Sequence, residues 1–235
     1  MLIIGAGGLG LPAAVQLAAA GVGSLGLMDF DHIELSNLHR QILYRSSDLG
    51  RPKVQVAAER IARAHPTVAV RALEERLTAR NLFDTFRDFD FVIDATDNAA
   101  TKYLINDGAV LCGIAFSHAG IVGFAGQTMT VLPGRSACLR CLFPTPPAAG
   151  EVATCQEAGV LGPLGGTIGV VQAAEALKFL AGAGSLLANR LFTYDALRAR
   201  WRTITVARAA ECALCGTAPT IRTLQPAAAA GEEGA

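Results

Sequence analysis

Two Cys-x-x-Cys pairs, Cys138/Cys141 and Cys212/Cys215, offer four thiols at the spacing by which two short loops hold one tetrahedral zinc. Four thiolates fill that coordination sphere, so a zinc held this way is structural and has no open position for substrate. A second signal lies upstream. The run Gly5-Ala6-Gly7-Gly8-Leu9-Gly10 spaces Gly5, Gly7 and Gly10 as G-x-G-x-x-G and adds Gly8. Between a strand and a helix, such glycines let a phosphate approach backbone N–H groups at the helix N-terminus. Asp29 ends the next apolar segment, where a carboxylate can bond ribose hydroxyls. The turn does not by itself separate NAD from ATP.

Charge further along bears on that choice. Arg40 and Lys53 follow Asp29 in a long polar stretch. Two cations beside a phosphate site suit a triphosphate whose pyrophosphate must leave, whereas a dinucleotide needs less positive charge. Solvated surface charge is the alternative reading. Asp94 and Asp97 fall at the carboxyl end of an apolar strand, the ligand edge of an open parallel sheet. Asp97 is placed to hold Mg2+ between phosphates and Asp94 to serve structure, unless either simply caps the helix beginning near Asn98. Cys155 lies between the two cysteine pairs and reads equally as a nucleophilic thiol or an incidental loop residue. Cys112, at the end of an apolar helix, reads as core.

The elements that must position these groups follow from periodicity. Leu2–Ile4 reads as a buried strand, Leu9–Ala20 as a helix, and Ser24–Met28 as a second strand, together a βαβ unit. Residues 30–52 form a connection long enough to be functional. Helices are predicted over Lys53–Ala64, near Asn81–Phe86, from Asn98 to Cys112 and over Gly166–Ala181, with strands at Val68–Arg71, Phe89–Ala95 and Ala115–His118. Gln127–Leu132 alternates as a half-exposed strand, Pro133–Gly162 reads as loop, and Leu191–Tyr194 with Trp201–Val206 as a closing β-pair. The predicted class is α/β: a Rossmann-like, mostly parallel sheet with a C-terminal antiparallel extension pinned by the four-cysteine zinc site. Residues 1–225 read as a single domain, with a nucleotide-binding part over about 1–132 and a zinc-pinned part over about 133–216. Residues 226–235 read as a disordered Ala/Gly/Glu tail.

Composition excludes some classes. Twenty basic and twenty acidic residues give a formal net charge of zero, so no blanket attraction to nucleic acid or anionic membrane is expected. No apolar run reaches the roughly 18–20 residues of a membrane span. The start lacks a basic region before its apolar residues and does not read as a signal peptide. A cytoplasmic setting follows, in which the six cysteines favour metal or redox chemistry over disulfides.

In this order, Gly5 to Gly10, Asp29-Phe30-Asp31, Ser36 to Gln41, Gly50-Arg51-Pro52-Lys53, Asp94 to Asn98, Gly126-Gln127, Thr154 to Pro163 and the two cysteine pairs resemble the ThiF/MoeB family, the bacterial relatives of ubiquitin-activating enzymes. The resemblance runs from Leu2 to Gly216. It implies an enzyme that uses Mg-ATP to adenylate the C-terminal Gly-Gly carboxylate of a ubiquitin-like sulfur carrier protein, releasing pyrophosphate. Sulfur is then added to give a thiocarboxylate for molybdopterin or thiamine synthesis. Carried onto this sequence, Gly5, Gly7, Gly8, Gly10, Asp29, Asn37, Arg40, Lys53, Asp97 and Asn98 bind the nucleotide, Asp97 carries Mg2+, and Cys155 acts later in acyl or persulfide chemistry. The family also implies a homodimer. In the sequence given, Met1 abuts the first strand, so the helical segment that precedes it in family members, and the arginine this segment sends to a neighbouring subunit, have no counterpart. No rhodanese-like extension follows Cys215, so a separate sulfur donor protein is expected. Two rivals share the glycine turn. A NAD-dependent oxidoreductase leaves Arg40, Lys53 and the cysteines unexplained, and a catalytically silent scaffold binds nucleotide without turnover.

Overall fold

In the computed structural model, which describes residues 1–148 and 158–224, short apolar segments ending in turn residues become strands of one eight-stranded sheet. The strands are β1 (Leu2–Ile4), β2 (Ser24–Met28), β3 (Ala69–Leu73), β4 (Phe91–Asp94), β5 (Ala115–Val122), β6 (Ala125–Val131), β7 (Arg190–Asp195) and β8 (Arg200–Thr205). Their order is β3-β2-β1-β4-β5-β6-β7-β8. The first five pair in parallel and the remaining pairings are antiparallel. The helices are α1 (Gly10–Ala19), α2 (Lys53–Ala64), α3 (Leu82–Phe86), α4 (Ala99–Cys112), a single turn α5 (Leu139–Leu142) and α6 (Gly162–Ala181).

Strand alternation divides the core in two. Ile3, Leu27 and Ile93 face α1, α2 and α6 on one side of the sheet, while Leu2, Ile4, Val92 and Phe116 face α3 and α4 on the other. Both faces of β1, β2 and β4 are covered, which is why those strands read as near-continuous apolar runs rather than alternating ones. The predicted α/β class, with its antiparallel extension, is the observed one.

Several elements depart from the sequence reading. α6 begins at Gly162 rather than Gly166, because Pro163 sits in its first turn, where a missing N–H costs little. α5 is a helical turn inside the segment read as loop. β5 continues past His118 to Val122, because Gly123, at positive φ, turns it directly into β6. Cys112 is exposed, not core: it is the last residue of α4, just before the left-handed Gly113 cap, and it faces solvent. The predicted tail lies outside the described residues.

Backbone approach around the glycine turn is unusually close. Gly5 has φ of +99°, and a Cβ there would stand 2.6 Å from the Ala95 carbonyl oxygen. A Cβ on Gly10 would collide with the Gly5 carbonyl. From the other side, Gly165 and Gly169 bring α6 onto the carbonyls of Gly8 and Leu9. Gly166, one residue after Gly165, is different: a Cβ there would meet nothing within 4 Å. Two substitutions in one helix should therefore act with opposite sign. Gly169→Val should destabilise by about 1–3 kcal/mol through overpacking. Gly166→Ala should stabilise by roughly 0.5–1 kcal/mol through reduced chain entropy. Urea unfolding of the two variants beside the wild type checks both.

Candidate functional site

The carboxyl ends of β1 and β4 open into a cleft of about 1110 Å3. Gly5, Gly7 and Gly8 form part of its wall, with Asp29, Arg40, Lys53, Asp97 and Asn98 around them. Gly10 stands behind the wall, where its lack of a side chain admits the Gly5 carbonyl. Asn37 is also behind it, buried, with Nδ2 donating to Ser36 Oγ at 3.3 Å. Most of the nucleotide set named from sequence thus converges on one surface. Cys155 lies outside the described residues.

Several cleft residues are held by specific contacts. Asp29 Oδ2 accepts from the Ala6 N–H at 2.7 Å, and Oδ1 from the Asp31 N–H at 2.9 Å. Burial pushes the Asp29 carboxyl above its ordinary value, while Lys53 and these N–H groups pull it back. Lys53 begins α2, is largely buried, and donates to Asp31 Oδ2 at 2.7 Å. Tyr44 ties α2 to the glycine turn, its hydroxyl standing 2.9 Å from the Ala6 carbonyl and 3.1 Å from that of Lys53. Arg40 is steadied by a bond from Nη1 to the Ser36 carbonyl at 3.1 Å. Gln41, also in the wall, is buried with its Oε1 unpartnered among the described residues.

The two aspartates after β4 have separate fates. Asp94 is fully buried; its Oδ2 lies 2.9 Å from His118 Nδ1, both oxygens lie 3.2 Å from Lys102 Nζ, and Thr96 Oγ1 donates to Oδ1 at 2.7 Å. Burial opposes ionisation there, yet Lys102, His118 and Thr96 together outweigh it and hold the carboxyl down at about 2. Asp97 is exposed in the cleft with no ion pair among the described residues. Neither aspartate caps α4; Asn98 does, accepting from the Thr101 N–H at 2.9 Å. Sequence reasoning missed Lys102 and His118. The turn between β4 and α4 folds Lys102 back onto Asp94, and pairing of Asp94 with His118 across β4 and β5 sets the third member. An extended strand reading for residues 115–118 with Asp94 at a parallel strand end was the available clue.

On the same side of the sheet, away from the cleft, the four cysteines meet. Cys138 stands 4.0 Å from Cys141 and 3.7 Å from Cys212, Cys141 stands 3.4 Å from Cys215, and all four sulfurs lie within 4.8 Å of one another. Zinc–sulfur bonds of about 2.3 Å in a tetrahedron put sulfurs about 3.8 Å apart, so the cluster has the dimensions of a metal–thiolate site. Burial and the neighbouring thiols push the Cys138 thiol up, a situation that a bound cation reverses. α4 fixes the first loop: Arg140 donates through Nε and Nη2 to both oxygens of Asp107, each at 2.8 Å, and Asn106 Oδ1 accepts from the Leu139 N–H at 2.8 Å. Arg208 joins the second loop to the first, donating to the Cys215 and Gly134 carbonyls. Among the described residues this is the one group of three or more potential metal ligands.

A model of the ThiF family matches residues 1–215. The chain belongs to the ThiF family. This ThiF-family chain is 46% identical over 229 residues to the "Sulfur carrier protein adenylyltransferase" of Thermus thermophilus, covering 95% of this chain and 84% of that protein. It is 43% identical over 210 residues to the "Probable adenylyltransferase/sulfurtransferase MoeZ" of Mycobacterium tuberculosis, covering 88% of this chain and 54% of that one. It thus spans about half the length of relatives named for two activities. The E. coli MccB structure with ATP superposes with a TM-score of 0.79 at 21% identity, covering 92% of this chain and 65% of that one, a likeness of fold. No helix among the described residues is long and apolar enough to cross a membrane.

The buried Asp94–His118 pair has a measurable consequence. Burial holds the His118 ring below its ordinary value, against the pull of Asp94, so the folded ring is neutral with Nδ1–H donated to the carboxylate. Below about pH 6.5 the unfolded histidine takes up a proton that the folded one refuses, so stability falls as pH drops through that value. The Asp94 contribution, with its folded value near 2, is lost only between about pH 4 and pH 2. Urea unfolding at about pH 7.5 and about pH 5.5 should show a smaller acid loss for His118→Gln than for the wild type. Equal losses would remove His118 as the source.

Proposed function

We propose that this chain is an ATP-dependent adenylyltransferase that activates the C-terminal Gly-Gly carboxylate of a ubiquitin-like sulfur carrier protein. The observation that carries the reading is the convergence of the glycine turn, Asp29, Arg40, Lys53 and Asp97, which has no ion pair among the described residues, on one cleft. The names of the Thermus and Mycobacterium relatives point the same way. Residues 1–225 act as one adenylation unit.

The chemistry asks little of a protein base. A C-terminal carboxylate, with a reference pKa of about 3.3–3.7, is ionised at neutral pH. Its oxygen bonds to the α-phosphorus while the bond from that phosphorus to the bridging oxygen of the β-phosphate breaks, giving acyl-adenylate and pyrophosphate. The obstacle is an anion approaching a polyanion, so catalysis is positioning and charge neutralisation. The glycine turn and Asp29 hold the nucleotide; Gln41, whose Oε1 has no partner among the described residues, and Asn98 complete the wall. Arg40 and Lys53 neutralise phosphate charge, with Asn37 supporting the segment that carries Arg40. Asp97 is the carboxylate left free to hold Mg2+, because Asp94 is committed to Lys102 and His118. Mg2+ held there would neutralise charge on the phosphates.

The four-cysteine cluster holds a structural zinc in this reading, closing the C-terminal segment onto α4. Cys155 serves a later acyl or persulfide step with a separate sulfur donor protein, leading to the thiocarboxylate used for molybdopterin or thiamine synthesis. The chain works as a cytoplasmic homodimer, and exposed Leu35 and Ile42, on the segment that carries Arg40, supply apolar surface for that pairing.

Pyrophosphate release with Mg-ATP and a Gly-Gly-ended carrier tests the activity. Lys53→Ala and Arg40→Ala should each lower turnover by about 10²–10³-fold, the scale of losing one preorganised charge. Release of no pyrophosphate, or binding of NAD in place of Mg-ATP, would overturn the proposal. Cys155→Ala should leave pyrophosphate release intact and reduce thiocarboxylate yield. Elemental analysis should find one zinc per chain, lost in Cys212→Ser; a folded, metal-free wild type would refute the zinc assignment.

A further inference from the structure

The Asp94–His118 pair leaves one ring atom without work. The two residues are register partners across β4 and β5, and His118 Nδ1 lies 2.9 Å from Asp94 Oδ2. The carboxylate is fixed from two further sides, by Lys102 Nζ at 3.2 Å from both oxygens and by Thr96 Oγ1 at 2.7 Å from Oδ1. Lys102 also donates to the Ala119 carbonyl at 2.5 Å, so it holds both strands at this level. That structural role uses only Nδ1 of the imidazole. Nε2 has no hydrogen-bond partner among the described residues, and it is not enclosed: the enclosed, unpartnered side-chain atoms are Gln41 Oε1 and Gln172 Oε1. His118 lines the cleft and is only 3% exposed, so the part of the ring that meets solvent includes Nε2. Gly120, two residues on along the same strand face, places no side chain beside it.

An imidazole whose Nδ1–H is held by a fixed carboxylate presents Nε2 as an acceptor of defined direction, the arrangement of a general base. The charged groups that act on the ring are Asp94 on β4 and Lys102 on α4. On β6 its register partner is Met129, and Gln172 of α6 binds the backbone carbonyls of Asp94 and Ser117; neither titrates. Burial keeps the ring neutral near pH 7, so Nε2 carries no proton there. A carboxylate attacking ATP has no proton to give it. A sulfhydryl attacking the resulting acyl-adenylate does.

We propose that His118 is the general base for transfer of the acyl group from AMP to a sulfhydryl nucleophile. The proposal rests on the adenylation reading for the origin of the acyl-adenylate. The S–H proton passes to Nε2, the sulfur bonds to the acyl carbon, and the bond from that carbon to the phosphate oxygen breaks, AMP leaving with the electron pair. The product is a thioester, or a thiocarboxylate when the nucleophile is hydrogen sulfide. Asp94 stabilises the imidazolium that forms, which then returns its proton to solvent.

The experiment supplies the acyl-adenylate ready-made, as synthetic N-acetyl-Gly-Gly-AMP, with a cysteine peptide as the thiol, and reads thioester and AMP between about pH 7 and about pH 8. A free thiol with its ordinary value of about 8.5 loses thiolate about tenfold per pH unit below that value. The wild-type rate should change less than about twofold over this range, because Nε2 takes the proton from the neutral thiol. His118→Gln offers an amide to Asp94 but accepts no proton. It should be about 10²-fold slower at pH 7, and its rate should follow the thiolate. No discharge by the wild type, a wild-type rate that follows the thiolate, or a variant with the wild-type rate and slope overturns the proposal, and the wild-type slope decides even if the variant does not fold. Pyrophosphate release from Mg-ATP and whole carrier is read separately. Its absence beside a flat, His118-dependent discharge sinks the adenylation reading and upholds the base; its presence beside a discharge that follows the thiolate sinks the base alone.

Discussion

Close backbone contact at the glycine turn is the constraint on which the rest of the molecule depends. Gly5 lies against the Ala95 carbonyl, Gly10 against the Gly5 carbonyl, and Gly165 and Gly169 against Gly8 and Leu9. Any side chain at these points would push β1, β4, α1 and α6 apart. Because none is present, the turn sits beside the end of β4, and Asp29 reaches the Ala6 N–H across it. The cleft is what remains between elements packed this tightly.

Within that frame, two carboxylates three residues apart receive different work. Asp94 is taken into the core, held ionised by Lys102 and His118, and stitches β4 to β5 and α4. Asp97, past the turn, stays in solvent with no protein cation paired to it among the described residues. A buried pair of this kind fixes where the strand end lies and leaves the other carboxylate in solvent. The cysteine cluster plays the comparable part at the other end of α4. Asp107 and Asn106 on that helix hold the first cysteine loop, so one helix connects the cleft to the cluster.

Much of this is legible in the sequence because it is local. β2 and α2 begin and end where their apolar periodicity does, since Asp29 and Pro52 punctuate them. The cysteine quartet is legible because paired spacing is itself the signal. What escapes a sequence reading is non-local. Lys102 and His118 become partners of Asp94 only through a helix turn and a strand pairing, neither of which spacing reveals. Cys112 reads as core yet faces solvent, because an apolar helix gives no warning at its last residue of which way that residue points. Nothing in the spacing of α6 singles out Gly165 and Gly169, and only the packing of that helix on the turn explains them.

In the proposed reaction the cleft joins the carboxylate of a carrier protein to AMP. Intact mass spectrometry of a Gly-Gly-ended carrier, incubated with this protein and Mg-ATP and quenched in acid, observes the product itself. The account predicts a carrier species heavier by one adenylate, absent without ATP and absent when the terminal glycine is removed. A carrier of unchanged mass, from protein that binds ATP and retains its metal, would contradict it.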